Sequence, residues 1–482
     1  MIDARPVGYV IGLLVAALGL TMVGPLVADL ASGNGHWRVF LVSSVLTVLC
    51  GGMTALACAN GTTGSMTLRQ TFLLTSLVWL ALPTFGALPF VIGATQSSVT
   101  DAMFEAMSGI TTTGATVLTG LDTLPRGLLL WRGILQWLGG IGIIVMAMVF
   151  LPELKVGGMQ VFRSEAFETM GKILPRAAEI ASNISTIYVA MTFVCALAYV
   201  GTGMTPFDAM VHAMTTISTG GFANTDASFG AYGGGAHYVG TAFMFLAACP
   251  FIRYVQLLGG SATPFWRDAQ IRAFLGTIIV CVTAIALYIA ARSHGLTEIA
   301  FREALFNVVS IMSGTGYASA DYMLWGPFAV MMFFFIGLIG GCAGSTACSV
   351  KIFRYQILFA SIRAQIRQLH APHGVFLPRY DGRPIAEDVL NSVMAFFVVF
   401  ILSVGLVSVA LSLTGLDFIT SVSGAATALA NVGPGLGSEI GPAGNFAGLN
   451  TTAKWIITIS MFIGRLELMV VLVLLTAKFW RS

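Results

Sequence analysis

A chain of 482 residues that is 56% hydrophobic, 9% charged and of mean hydropathy +0.87 cannot clothe a water-soluble domain, which carries about 25% charged residues. Lipid is therefore its solvent, and a net charge of +3 gives no basis for bulk attraction to nucleic acid. Seven cysteines without a CxxC pair point to small core residues rather than a disulfide framework or zinc site, and 55 glycines exceed the needs of an ordinary helical bundle.

Along the chain, Arg5 is followed by an apolar run to Ala28 that reads as a first membrane helix, being long for a signal-peptide core and lacking a cleavage motif. Runs long enough to cross a bilayer recur at 8–28, 39–58, 71–95, 128–151, 183–203, 236–258, 273–293, 325–350, 389–413 and 452–478. Ten spans put both termini on one side. Positive charge orients them. One set of loops holds Arg69; Lys155, Arg163, Lys172 and Arg176; Arg267 and Arg272; and Lys351, Arg354, Arg363, Arg367, Arg379 and Arg383. That set, with Arg5, Lys478 and Arg481 at the chain ends, is expected to be cytoplasmic; the opposite loops hold little beyond Arg38, Arg126 and Arg302.

Four outer loops carry a moderately apolar stretch too short to span, each ending in a glycine-centred turn: "DAMFEAMSGITTTGA", "DAMVHAMTTISTGGF", "EALFNVVSIMSGTGY" and "TSVSGAATALANVGP". The key glycines are Gly114, Gly221, Gly316 and Gly433, spaced 107, 95 and 117 residues apart. Thirteen residues before the first three stand Asp101, Asp208 and Glu303, and Thr420 holds that place in the fourth copy. The pattern is an internal repeat of helix, short re-entrant helix, turn and helix. The expected organisation is two N-terminal transmembrane helices (1–58), then pore repeats at 59–158, 159–259, 260–362 and 363–482.

Backbone at membrane depth must be hydrogen-bonded or line a water-filled cavity. Four re-entrant segments about one axis would aim carbonyl oxygens, and the partly negative C-terminal ends of their helices, at a shared centre. Such carbonyl rings replace the hydration shell of a monovalent cation. The early acids suit helix N-termini. A divalent-ion filter would place carboxylates in the turns; here Asp122, Asp226, Asp321 and Glu439 come five to eight residues later. They either line an outer vestibule or are solvated loop acids.

Together the turns and several further motifs resemble the Trk/Ktr/HKT superfamily of cation-translocating proteins, on its bacterial Trk branch, over essentially the whole chain. The motifs are "TTTGAT" at 111–116, "GGIGIIVMAMVFLPEL" at 139–154, "STGGF" at 218–222, "GTGYASADY" at 314–322, "GGCAGSTACSVK" at 340–351 and "NVGPG" at 431–435. The resemblance implies an all-α integral membrane protein: two extra N-terminal transmembrane helices plus four helix–pore loop–helix repeats in pseudo-fourfold arrangement around one ion pore. It implies filter carbonyls from Thr112, Thr113 and Gly114; Thr219, Gly220 and Gly221; Gly314, Thr315 and Gly316; and Asn431, Val432 and Gly433. Some plant relatives carry serine at the first filter glycine and favour sodium; glycine in all four copies here points to potassium.

The family also implies two gate elements. One is an intramembrane loop, matched by "GGCAGSTACS" at 340–349, with Gly340, Gly341, Cys342, Ala343, Gly344, Ser345 and Thr346 at its heart. Its small polar residues hold a helix poorly, although small residues also serve tight helix packing. The other is Arg465, deep in an apolar helix, where a charge is costly and faces a pore or a partner. Glu467 is two positions away and does not share its helical face.

The function so implied is potassium uptake across the bacterial inner membrane as an ion-conducting subunit, with K+ as transported ion and no organic cofactor in this chain. The implied partners are a second copy in a homodimer, the bilayer, and a TrkA-like cytosolic nucleotide-binding ring that gates the pore. The basic stretches 152–182 and 351–388, the latter with His370 and His373, suit such a ring, anionic lipid, or simple orientation bias. No GxGxxG fingerprint appears, so any nucleotide sits on the partner. A proton- or sodium-coupled symporter is the alternative, but broken-helix transporters use inverted two-copy repeats and midplane ionisable residues. A membrane enzyme would need a nucleophile–base or metal set, and the six histidines show no HExxH spacing.

Overall fold

The structure, a computed structural model, describes residues 3–61, 66–147, 158–159, 177–293, 295 and 297–481. Lys155, Arg163, Lys172 and Arg176 of the expected basic stretch lie outside the described residues. Among the described residues, seven helices are long and apolar enough to cross a membrane, and eight if one bent pair counts as a span. Ten continuous spans were expected. Three of those ten are interrupted, and each interruption lies in the second helix of a proposed repeat.

The chain opens with α1 (Arg5–Thr21) and α2 (Val23–Ala31), which run antiparallel to α3 (Trp37–Cys58). Gly12 and Gly51 let α1 and α3 touch backbone to backbone; a Cβ on either would strike the other helix's main chain. Next come α4 (Leu68–Gly86), α5 (Leu88–Ile92), the short α6 (Val99–Ile110), and α7 (Arg126–Val145). The pattern of long helix, short helix, turn and helix then recurs three times. It gives α8 (Ala177–Gly201), α9 (Pro206–Ile217) and the bent pair α10 (Gly234–Ala247) and α11 (Phe251–Leu258). It gives α12 (Ala269–Ser293), α13 (Glu298–Ser313) and α14 (Pro327–Gly337). After α15 (Ile352–His370) it gives α16 (Glu387–Ser412), α17 (Phe418–Ala430), α18 (Thr451–Arg465) and α19 (Met469–Leu474).

Side-chain capping starts all four short helices. Ser98, Thr205, Thr297 and Asp417 occupy the N-caps, each accepting a hydrogen bond from a first-turn N–H. Asp101 and Asp208 sit three residues further on and accept back from the cap hydroxyl at 2.8 and 2.7 Å. Glu303 departs from expectation. α13 starts at Glu298, so Glu303 stands in its second turn and does not serve the terminus.

Packing between units is cyclic. The second helix of each unit lies on the short helix of the next: α7 on α9, α10 on α13, α14 on α17, and α18 back on α6. Within units, glycines make the close crossings. A Cβ on Gly139 of α7 would run into the Ile110 carbonyl at the end of α6, and one on Gly464 of α18 into the Leu429 carbonyl of α17.

The three interruptions have different causes. At 248–250 the chain turns by 90° around Pro250, which cannot continue the helical hydrogen bonding. α14 stops at Gly337, and residues 338–351 form a loop pinned by a two-residue parallel pairing of Ile339–Gly340 with Val350–Lys351. The break after Arg465 has only Gly464 as a local weakener, and Leu466, Glu467 and Leu468 are good helix formers; tertiary contacts override propensity there. Glu467 and Leu468 take positive φ of 60° and 48°.

Candidate cation-binding site

The four short helices end in the same way. Thr112, Thr219, Gly314 and Asn431 adopt left-handed φ of 52°, 51°, 77° and 53°. The next N–H reaches back five residues: Thr113 to Ser108 O at 2.9 Å, Gly220 to Thr215 O at 2.8 Å, Thr315 to Ser310 O at 2.9 Å and Val432 to Thr427 O at 3.1 Å. This is the left-handed C-terminal cap that satisfies stranded helix carbonyls. One residue later Gly114, Gly221, Gly316 and Gly433 again have positive φ, of 85°, 80°, 82° and 104°. Two left-handed residues flanking one ordinary residue turn successive peptide groups the same way instead of alternating them as a strand does. Glycine suits that geometry; threonine at 112 and 219 is β-branched and strained there.

These turns meet. A Cβ added to Gly114 would collide with the Gly220 carbonyl, one on Gly221 with the Thr315 carbonyl, and one on Gly316 with the Val432 carbonyl. One on Gly433 would lie 2.7 Å from the Thr113 carbonyl, which closes the circuit. All four glycines border a single cavity of about 160 Å³, outer in the expected orientation. Side-chain and main-chain bonds tie the turns from behind. Asn431 Nδ2 donates to Thr113 Oγ1 at 2.9 Å, Phe446 N donates to Thr116 O at 2.8 Å, and the Tyr317 hydroxyl bonds Thr215 and, at 3.3 Å, Thr216.

Among the late acids, Asp226 borders the outer cavity. Its carboxylate accepts from Gly120 N at 2.8 Å and Leu121 N at 3.1 Å, so it splices the outer loops of the first two units. Asp321 caps its own loop by accepting from Met323 N. Among the described residues no three His, Cys, Asp or Glu side chains gather in metal-ligand geometry. The oxygens presented at the turns are main-chain and hydroxyl oxygens.

A second cavity, of about 40 Å³ and inner in the expected orientation, is bordered by Gly344, Ser345, Cys348, Lys351, Arg354, Asn431, Arg465 and Glu467, with others. Arg465 ends α18 with 3% of its surface exposed. Its Nη1 donates to Cys348 Sγ at 2.7 Å and its guanidinium lies 5.6 Å from the Trp79 ring, while Nε and Nη2 have no partner among the described residues. Cys348 in turn lies 3.5 Å from Thr112 Oγ1, directly under the first turn. The neighbouring acid Glu467 does not pair with Arg465; it pairs with Arg354.

The loop 340–349 divides by role. Its first part is bonded to the bend in the second unit: Cys342 N donates to Ala248 O at 3.0 Å, Thr346 Oγ1 to Ala247 O at 3.0 Å, and Phe251 N to Gly344 O at 2.9 Å. The carbonyls freed by the Pro250 bend are thus satisfied by the loop, and the loop by the bend. Ala343 N adds a bond to Gln270 Oε1 at 2.8 Å. Of the residues singled out in sequence, Gly344 and Ser345 border the inner cavity, and Gly340, Gly341, Cys342, Ala343 and Thr346 form the anchored wall. The residue facing Arg465 is Cys348, which sequence reasoning did not single out.

Sequence reasoning also missed Glu105, Arg132 and Gln136, all buried behind the first two turns. Arg132 and Gln136 are four apart inside an apolar helix, a signal that was available.

Comparison with known proteins follows the same outline. Residues 36–482 match the TrkH family, described as a cation transport protein. The chain is 48% identical to the Trk system potassium uptake protein TrkI of Halomonas elongata over 86% of this chain and 84% of that one. It is 36% identical to the Trk system potassium uptake protein TrkH of Vibrio parahaemolyticus over 99% of each. The crystal structure of the potassium transporter TrkH from Vibrio parahaemolyticus superposes with a TM-score of 0.91 at 34% identity, covering 100% of both chains.

Proposed function

The chain belongs to the TrkH family of cation transport proteins, and from that premise we propose that it takes up potassium through a pore on the axis where its four turns meet. Repeats at 59–158, 159–259, 260–362 and 363–482 stand in pseudo-fourfold order about that axis, with the helices of 1–58 outside. The observation that carries the reading is the closed circuit of turns, each glycine packed against the preceding residue's carbonyl in a neighbouring turn. Thr112, Thr113 and Gly114, Thr219, Gly220 and Gly221, Gly314, Thr315 and Gly316, and Asn431, Val432 and Gly433 supply oxygens that replace water around K+. The C-terminal ends of α6, α9, α13 and α17 favour a cation at the centre.

Arg465 and the loop 340–349 form the gate below. A guanidinium under the ring repels an incoming cation, and the loop blocks the path beside it. Opening requires both to move, and the loop's anchorage on the bend at Pro250 links it to α11. A cytosolic nucleotide-binding ring, docked on the basic surface that includes α15 and the antiparallel pairing of Arg379–Tyr380 with Arg383–Pro384 that follows it, supplies that movement. The protein works as a homodimer in the bacterial inner membrane with both termini cytoplasmic. Potassium is cargo, and the chain carries no organic cofactor.

Growth of a bacterium lacking its own potassium uptake, at low external potassium, tests this reading alongside flux into liposomes holding the purified chain. Rescue, with flux that runs down an imposed potassium gradient, is expected. Flux that strictly requires a proton or sodium gradient would contradict the pore.

A further inference from the structure

We infer that Gln136 is a positioning residue for cation selectivity, acting in place of the side chain that Gly220 lacks; this rests on reading the four turns as a filter. The residue whose carbonyl packs against the next turn is Thr113, Thr315 or Val432 in three copies and Gly220 in the second. Gly220 is followed by Gly221, so neither the residue that presents this carbonyl nor the one after it has a side chain with which to fix the backbone.

The head group of Gln136 occupies that place. A Cβ on Gly220 would run into the Gln136 amide. Gln136 Nε2 donates to the Gly220 carbonyl at 2.6 Å, and Phe222 N donates to Gln136 Oε1 at 3.0 Å. The amide thus brackets the turn, and the carbonyl keeps a second lone pair for an ion. Gln136 comes from α7, in the first unit, so one unit holds the filter segment of the next.

Arg132, one helical turn before Gln136, extends the bracket. Its Nη1 donates to Ala223 O at 2.7 Å and its guanidinium covers the Phe222 ring at 4.1 Å. Nε donates to Glu105 Oε1 at 2.8 Å. Glu105 accepts in addition from Thr116 Oγ1 and Val117 N, both at 3.0 Å, just past the first turn. Exposure is 0% for Glu105 and Gln136 and 1% for Arg132, so this charge pair and its bonds act in a low-dielectric setting where they resist displacement.

The test measures sodium and potassium fluxes into liposomes for the full-length chain, Gln136→Met, Arg132→Lys and a remote buried control, Ser76→Ala. Gln136→Met removes the bracket without altering charge. Its sodium-to-potassium flux ratio is expected to rise about fivefold, the factor matching one lost hydrogen bond, with no such rise in the control. Arg132→Lys keeps the charge opposite Glu105 but loses the fork that reaches Ala223, and should raise the ratio by less. Returning a side chain to the turn, as Gly220→Ala with Gln136→Ala, should recover part of the selectivity. An unchanged ratio in Gln136→Met, or equal loss of both fluxes, overturns the inference. If Gln136→Met does not reach the membrane, an unchanged ratio in Arg132→Lys overturns it. Absence of potassium flux in the unaltered chain would instead bring down the filter reading itself.

Discussion

Replacing Gly114 by serine tests how tightly the ring is built. Gly114 has φ of 85°, and an L side chain in that region costs about 1–2 kcal/mol. The new Cβ would also overlap the Gly220 carbonyl, which Gln136 holds at 2.6 Å. Shifting that carbonyl gives up a hydrogen bond of about 1 kcal/mol. The sum is about 2–3 kcal/mol, equivalent to a factor of about 30–150 if all of it falls on the potassium-bound ring. Uptake of rubidium as a potassium surrogate, competed with sodium, reads the change directly. Selectivity should drop toward that factor while the protein still reaches the membrane. Unchanged discrimination in a well-expressed Gly114→Ser protein would refute the reasoning, because the added atom has no room unless the turn moves.

Neutralising Arg465 to glutamine should raise potassium flux by about tenfold or more, since opposing unit charges of the same sign a few ångström apart cost about 4 kcal/mol at an effective dielectric of about 20; unchanged flux in liposomes would remove its role as a barrier. Gly139→Ala should lower stability by about 1–3 kcal/mol, because its Cβ meets the Ile110 carbonyl where α7 crosses α6, and thermal unfolding in detergent would show it. Asp417→Ala removes the cap of α17 and should cost about 1 kcal/mol in the same assay. The Asp417 carboxyl is held below its ordinary range by the Thr420 hydroxyl and by the Thr420 and Ile419 N–H groups. A folded value below the unfolded one means that the cap's contribution is complete above about pH 4 and lost as pH falls further. The gap between Asp417→Ala and the unaltered chain should therefore close in acid.

Much of this arrangement was legible in the sequence, because a repeat announces itself four times over. Gly114, Gly221, Gly316 and Gly433 fall at matching places, and left-handed backbone there demands glycine for a local, readable reason. The early acids were half legible. Asp101 and Asp208 do serve helix starts, but Glu303 does not, since Thr297 offers a better cap and α13 begins earlier. The breaks were read unevenly. Pro250 and the small residues of 340–349 are local signals. The break after Arg465 has only Gly464 as a local hint, because Glu467 leaves the helical path to meet Arg354 more than one hundred residues away, and no local pattern records that.

Least legible were the ties between units. Gln136 meets Gly220, and Arg132 meets Ala223, across 84 and 91 residues of chain. A polar residue in an apolar helix signals a partner without naming it. The same holds for Cys348, which looked like one more small residue in a weak helix and proved to stand between Thr112 and Arg465.

A pore of this kind holds a bare monovalent cation where its four turns meet. A high-resolution map of the purified protein in rubidium or thallium, which scatter strongly enough to be told from water, locates it. The prediction is density on the common axis, among the carbonyls of Thr113, Gly220, Thr315 and Val432. An axis without ions, with cations held elsewhere in the protein, would contradict it.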